Sequence, residues 1–326
     1  MLYANSPNEF QRWCQGCFAS LPFSAAPDPR FGSVLGVNNG ATSSYHALQV
    51  TGQKRMSHGL MFQMNYTYSH CLDTTSNGGF QAFNVASGVA PLPGLLKRYY
   101  GNCDYDIRHS LNGWYLYELP LHPTRAWLNN LMGGWQVSGT VFVRGGFPFS
   151  VFSSGTTTNF FDGSSTIYAN SVSGQIPYTT TPIPGVTQPG TLQWLNPNAF
   201  QSVIDTTTRT CFPTTNVQNC QNGALGRNTF RAPGFRWTDL DIGKRFNISE
   251  KVSFRFDAQL YNLFNHPNFF VPNTGFPHAG IPGKAATLTG FGTISQTASP
   301  VTGLLGGNVG GDTSVRMIAF RGRIEF

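Results

Sequence analysis

Six cysteines, at positions 14, 17, 71, 103, 211 and 220, are the residues best suited to covalent or metal chemistry. Cys14 and Cys17 form a CxxC, which is half of a redox or zinc site. A structural zinc needs a second pair of ligands, and no matching CxxC or HxxxH occurs. Disulfides formed in an oxidising compartment are therefore the favoured reading. The sequence-local pairing is Cys14 with Cys17, Cys71 with Cys103, and Cys211 with Cys220, one of several that six cysteines allow. Asp239 and Asp241 in TDLDIG share one face of an extended segment. Two carboxylates so placed suit acid/base work or a cation. The plainer reading pairs them with Arg245 or Arg255, and treats Asp257 the same way. His266 in NLFNHPNF sits among turn-forming Asn and Pro. His46, His58, His70 and His109 have no ligand spacing. GxSxG, HExxH, P-loop and dinucleotide fingerprints are all missing from the sequence. The expectation is a protein that is not an enzyme and carries no cofactor.

The elements that hold these residues follow from composition and period. Only 11% of the 326 residues are charged, against ~25% in an ordinary soluble domain. Aromatics reach 14%, with 27 Phe, 37 Gly and 21 Pro. This excludes a charge-dense helical enzyme, and the apolar content excludes disorder. No run approaches the ~20 apolar residues of a spanning helix; the longest, Gly88 to Leu96, is broken by Pro91 and Pro93. The opening MLYANSPNEFQRWC has no signal-peptide pattern. The net charge is +7, but Lys and Arg do not cluster as nucleic-acid binding requires.

Apolar and polar residues alternate, as in half-buried strands. In Gly59 to Ser69, Leu60, Phe62, Met64, Tyr66 and Tyr68 oppose Gln63, Asn65, Thr67 and Ser69. Lys251 to Tyr261 and Ile318 to Phe326 repeat the pattern. Ser44 to Thr51, Arg108 to Leu119, Trp135 to Arg144 and Thr238 to Phe246 bring the count to seven, with Ala286 to Ser295 a weak eighth. Most of these strands exceed the ~5–6 residues usual in globular sheets and match those that cross a bilayer in a barrel. Connections alternate too: Gly52 to His58 and Asn247 to Glu250 are short, while 71–107, 145–236 and 265–313 are long. That asymmetry is typical of outer-membrane barrels. With short turns in the periplasm, the last strand runs inward and ends there. All six cysteines then fall in extracellular segments, none in a strand. Cys71 and Cys103 leave adjacent strands at the same end, which makes theirs the best-supported bridge. Tyr66, Tyr68, Tyr115, Tyr117, Trp135 and Phe326 sit where an interfacial girdle belongs. Arg108, Arg144, Asp239, Asp241, Arg245, Arg255, Asp257, Arg321 and Arg323 face the lumen. The alternative is a secreted or surface β-sandwich serving as an adhesin or carbohydrate-binding module.

A set of phrases now falls in order: SSYHALQVTGQKRMSHGLMFQMNYTYSHCLD from Ser43, DIRHSLNGWYLYELP from Asp106, and GGWQVSGTVFVRGGFPFSV from Gly133. WLNPNAF from Trp194 follows, then LGRNTFRAPGFRWTDLDIGKRFNISEKVSFRFDAQLYNLFNHPNF from Leu225, FGTISQTASP, and a terminal Phe326. Together they resemble the C-terminal barrel portion of Oar-like TonB-dependent outer-membrane receptors, over residues 30–326. The resemblance implies a 22-stranded barrel, of which this chain supplies about seven or eight antiparallel strands. It also implies a plug domain, the TonB energy-coupling system, and a carboxypeptidase-regulatory-like domain ahead of the plug, all absent from this chain. Residues 1–42 correspond to an extracellular loop in a shortened reading frame, and 43–326 to barrel. The loop VTGLLGGNVGGD, 301–312, departs from the usual direct run into the last strand.

By that resemblance the protein resides in the bacterial outer membrane and takes up a bulky nutrient such as a glycan, siderophore or peptide. Capture falls to the loops 71–107 and 145–236, where Trp194, Phe160 and Phe161 are candidates for stacking on a sugar or for local packing. The partners implied are outer-membrane lipid, the plug, TonB, and the barrel assembly machinery, for which Phe326 is the signal. Seven strands leave two open edges, and each unpaired backbone group in hydrocarbon costs several kcal/mol. The chain alone is expected to aggregate.

Overall fold

The computed structural model describes residues 2–4, 34–36, 41–74, 76, 100–153, 168–201, 204–205, 210–211, 224–249, 252–276, 288–298 and 314–326. Seven long strands dominate: β1 (Ser43–Ser57), β2 (Leu60–Asp73), β3 (His109–Glu118), β4 (Trp135–Arg144), β5 (Phe235–Asn247), β6 (Ser253–Tyr261) and β7 (Met317–Glu325). Each pairs antiparallel with the next in chain order. The eighth expected strand is not part of this sheet. Within Ala286 to Ser295, Thr293–Ile294 pairs instead with Leu192–Gln193 above it, and 286–287 lie outside the described residues.

The β1–β2 hairpin is tighter than the sequence implied. The β1–β2 ladder continues to Ser57, so the turn is His58–Gly59 rather than 52–58. Both residues have positive φ, 53° and 74°, as a two-residue type I′ turn requires. A Cβ on Gly59 would lie 2.5 Å from the Glu118 carbonyl oxygen, so glycine is needed there twice over. The connection 120–134 carries a helix the alternation did not reveal, α1 (Ala126–Met132). Its Trp127 and Leu131 stay exposed at the turn end of the sheet. No helix among the described residues is long and apolar enough to cross a membrane.

The register carries one face across the sheet, with one shift in the β1–β2 ladder between Lys54 and Ser57. A single row runs Ser57, Leu60, Tyr117, Val137, Ile242, Ala258, Phe320. It starts on the last residue of β1 and ends five residues before the end of β7 at Glu325. With ~3.3 Å per residue and ~4.8 Å between strands, that offset over six steps corresponds to strands tilted roughly 30°. At the opposite end the row through Met317, Tyr261 and Thr140 reaches Gln53, ten residues below Ser43, which corresponds to roughly 50°. The two values bracket the ~35–45° tilt of membrane barrels.

The apolar face of this sheet is bare. Leu48, Phe320 and Ile324 are 60%, 72% and 60% exposed. The described buried clusters lie elsewhere, one within the long loops and one on the polar face at its outer end. A sandwich would bury this face under a second sheet. The sheet is not closed: β1 and β7 are its edges, and with seven strands in a meander both run in the same direction. They cannot pair antiparallel with each other, so completing an antiparallel barrel takes an odd number of further strands.

Candidate functional site

On the polar face, alternation places Asp239, Asp241 and Arg245 of β5, Arg255 and Asp257 of β6, and Arg321 and Arg323 of β7 side by side. The aspartates do not pair with Arg245 or Arg255 as expected. Asp239 accepts from Thr140 Oγ1 at 3.0 Å and from the Asn262 amide at 3.1 Å. Asp241 accepts from Gln259 Nε2 at 3.2 Å. These neutral donors are nearer because Arg245 and Arg255 lie lower on their strands. Arg255 meets Asp257 at 2.7 Å. Arg245 donates to Ser253 Oγ at 3.1 Å and lies 3.5 Å from Glu325, and Arg323 also pairs with Glu325. Arg245, Arg255 and Arg323 occupy one row across three strands. Like charges directly opposite repel. Glu325, Asp257 and, across from Asp257, Arg321 complete a mixed cluster at the turn end.

Lys244 is a charged residue on the apolar face. It sits opposite Trp135 and Phe256, with its ammonium near the Trp135 and Phe246 rings at 5.4 and 5.1 Å. It donates to the Gly133 carbonyl at the end of α1. A long side chain can bury its stem this way while its charge is satisfied at the boundary.

At the other end the long loops fold into a cap. Phe149, Val151, Leu195, Phe200, Phe230 and Phe291 form its core. Buried Gln193 ties its strands together by donating to the Leu195 and Phe291 carbonyls at 2.6 and 3.0 Å. Short strand pairs knit the segments, such as Phe230–Arg231 with Pro148–Phe149. A disulfide joins Cys71 to Cys103. Cys71 lies within β2, and Cys211 within the two-residue strand Thr210–Cys211, so these two are not loop residues. The β1–β2 ladder extends past Cys71, further than alternation traced it, while Cys211 pairs in a separate short ladder with Ile204–Asp205. Cys14, Cys17 and Cys220 lie outside the described residues.

Cap and sheet are locked by charges that the sequence did not single out. Arg227 is buried against Asp73 and donates to the Ser76 and Gly101 carbonyls at 2.9 and 3.1 Å. Arg231 pairs with Asp106, whose other oxygen accepts from the Cys71 amide at 2.7 Å. Asn228, in the left-handed region at φ 54°, donates to Asn102 O and Asp104 Oδ1 at 2.8 and 2.7 Å. Burial, with Asp73 and Asp104 nearby, raises the Tyr105 phenol above its ordinary pKa. Arg108 joins this network, 3.1 Å from Asp106 and 3.0 Å from His70 Nε2. Arg144 is buried over the Phe147 and Phe235 rings at 3.9 and 5.1 Å. Both therefore serve the cap junction rather than an open lumen. The only available signal was that Asp106, Arg227 and Arg231 stand in the motif phrases DIRH and LGRNTFR. Their mutual distance in sequence gave no hint of pairing.

Trp194 donates to the Arg231 carbonyl at 2.9 Å and packs edge-on to Tyr178, which makes it a packing anchor. Phe160 and Phe161 lie outside the described residues. His266 closes a turn with Asn262, amide to Oδ1 at 3.1 Å. Among the described residues no group of three His, Cys, Asp or Glu could hold a metal.

Compared with known proteins, the chain matches a family model, outer membrane beta barrel domain, over residues 10–302. No curated protein and no solved structure matches it significantly. Tilted strands, a bare apolar face and a folded loop cap agree with that match over most of its length: the chain belongs to the outer membrane beta barrel domain family.

Proposed function

We propose that this chain is the C-terminal part of an Oar-like TonB-dependent receptor that imports a bulky nutrient, a glycan, siderophore or peptide, and has no catalytic role. The observation that carries the reading is the pairing of opposite faces on one sheet. One face is apolar and uncovered, as lipid contact requires; the other is polar, lined with arginines and aspartates, and capped by folded outer loops. The parity of the strands agrees. Both edges run inward, so an odd number must be added, and fifteen remain of the 22 in a plugged transporter barrel. The plug would face the arginine row, TonB would energise import, and Phe326 would serve the assembly machinery. A β-sandwich adhesin would need a partner layer on the apolar face.

Membrane fractionation tests this reading. The protein should stay with the outer membrane through a carbonate wash, and its release would end the barrel reading. Import should stop when TonB is deleted while surface binding persists. Loss of neither would leave a barrel that is not TonB-coupled.

A further inference from the structure

Beside Cys71 of the disulfide, on the polar face at its outer end, lies an open cavity of about 560 Å³. That is within the range of small-ligand sites. Its floor is a register row, Gln49 beside Thr67 beside Ser110, on β1, β2 and β3. None of these three side chains makes a hydrogen bond among the described residues. Ser69, one step outward, spends its hydroxyl proton on the Ile107 carbonyl at 2.8 Å and keeps acceptor capacity. Two phenol rings, Tyr45 at 57% and Tyr105 at 49% exposure, complete the lining. No lining residue carries a charge at neutral pH.

We propose that this cavity binds a neutral polyhydroxylated ligand, a carbohydrate. The inference rests on the receptor reading above and narrows its substrate class. Hydroxyls and an amide both donate and accept, which matches a sugar's hydroxyl groups. Exposed aromatic rings with a polar tip offer an apolar surface to a sugar's C–H face. An anionic iron chelate would need arginine or lysine at the wall; none lines it, and the arginines at this end of the face, Arg108 and Arg231, are paired with Asp106. The loop carrying Tyr105 is pinned by Cys71–Cys103 and by the Asp106 contacts, so the site is pre-formed and little ordering opposes binding. Its opening at the outer end is where a capture site of an importer belongs.

The test uses the full-length protein purified from outer membranes in detergent. Calorimetry would compare maltohexaose, xylohexaose and cellohexaose with ferric citrate and hexa-alanine. At least one neutral oligosaccharide should bind, and Tyr105→Ala should weaken it at least tenfold. Tyr105→Phe, which keeps the ring, should weaken it only a few-fold, and Gln49→Ala should act in the same direction. Heat-modifiable migration would verify that each variant is folded. Binding of ferric citrate or the peptide alone, binding of no sugar, or sugar binding indifferent to both Tyr105→Ala and Gln49→Ala would overturn the proposal. Release of the protein by a carbonate wash of the membranes before detergent is added would sink the receptor reading instead, so the two failures are distinguishable.

Discussion

Replacing Leu240 by arginine tests the orientation of the whole sheet. Leu240 lies on the apolar face of β5, opposite Gly139 and Leu260. On the same face Arg236 is four residues outward and Lys244 four residues inward. At ~3.3 Å per residue and a tilt near 40°, each is about 10 Å away in depth. Leu240 therefore sits close to the middle of an apolar band about 25 Å tall. An arginine there costs ~2–4 kcal/mol, a roughly 30- to 700-fold drop in the folded-to-unfolded ratio at ~1.4 kcal/mol per tenfold. Ser138 is the control. It stands on the polar face opposite Asp241, whose Oδ1 is buried and takes no hydrogen bond among the described residues. Ser138→Arg should change stability by no more than ~0.5 kcal/mol. The assay is guanidinium unfolding of the full-length protein in phospholipid vesicles, followed by tryptophan fluorescence and gel mobility. Equal tolerance of the two arginines, or a larger loss from Ser138→Arg, would refute the lipid-facing assignment.

Further outcomes concern the cap and the edges. Arg227→Met should destabilise the cap by ~3–5 kcal/mol because it removes the cation that balances the buried Asp73 carboxylate, whereas Arg227→Met with Asp73→Leu should recover part of that; hydrogen exchange at Gly101–Asp106 would report both. Breaking Cys71–Cys103 with paired serines should cost roughly 3–4 kcal/mol in the chain-entropy view of a closed loop this long, seen as faster tryptic cleavage at Lys97 and Arg98. Tyr178 accepts from the Arg231 amide at 2.9 Å, and burial raises its phenol above the usual pKa of 10.0. Its contribution is therefore complete below pH 10 and is lost as pH climbs through the folded value, so Tyr178→Phe should blunt the alkaline loosening of the cap in near-ultraviolet circular dichroism. Expressed without added strands, this chain should aggregate through β1 and β7; a monodisperse, protease-resistant monomer in detergent would contradict the open-edge argument.

Much of the sheet was legible in the chain itself. A strand's side chains alternate with period two, so Leu60, Phe62 and Met64 against Gln63, Asn65 and Thr67 declare two faces without any knowledge of neighbours. Short turns and long loops likewise declare two ends. The same signal stopped short where other forces took over. It lost β2 before Cys71, since ladder hydrogen bonds extend a strand whatever its side chains, and it lost α1, whose seven residues are too short for a helical period to register.

Sequence alone thus determined the strands, their faces and the scarcity of charge, because a lipid-facing surface must exclude charge residue by residue. Tertiary structure alone decided the register, the tilt and the parallel sense of the two edges, which exist only between strands. It also decided the partners of the charges. Asp73 finds Arg227 and Asp106 finds Arg231 across more than a hundred residues, and a pair that closes at such separation leaves no periodic trace. The expected pairing of Asp239 and Asp241 with arginine failed for the same reason: shared face is local, but which donor is nearest is set by register.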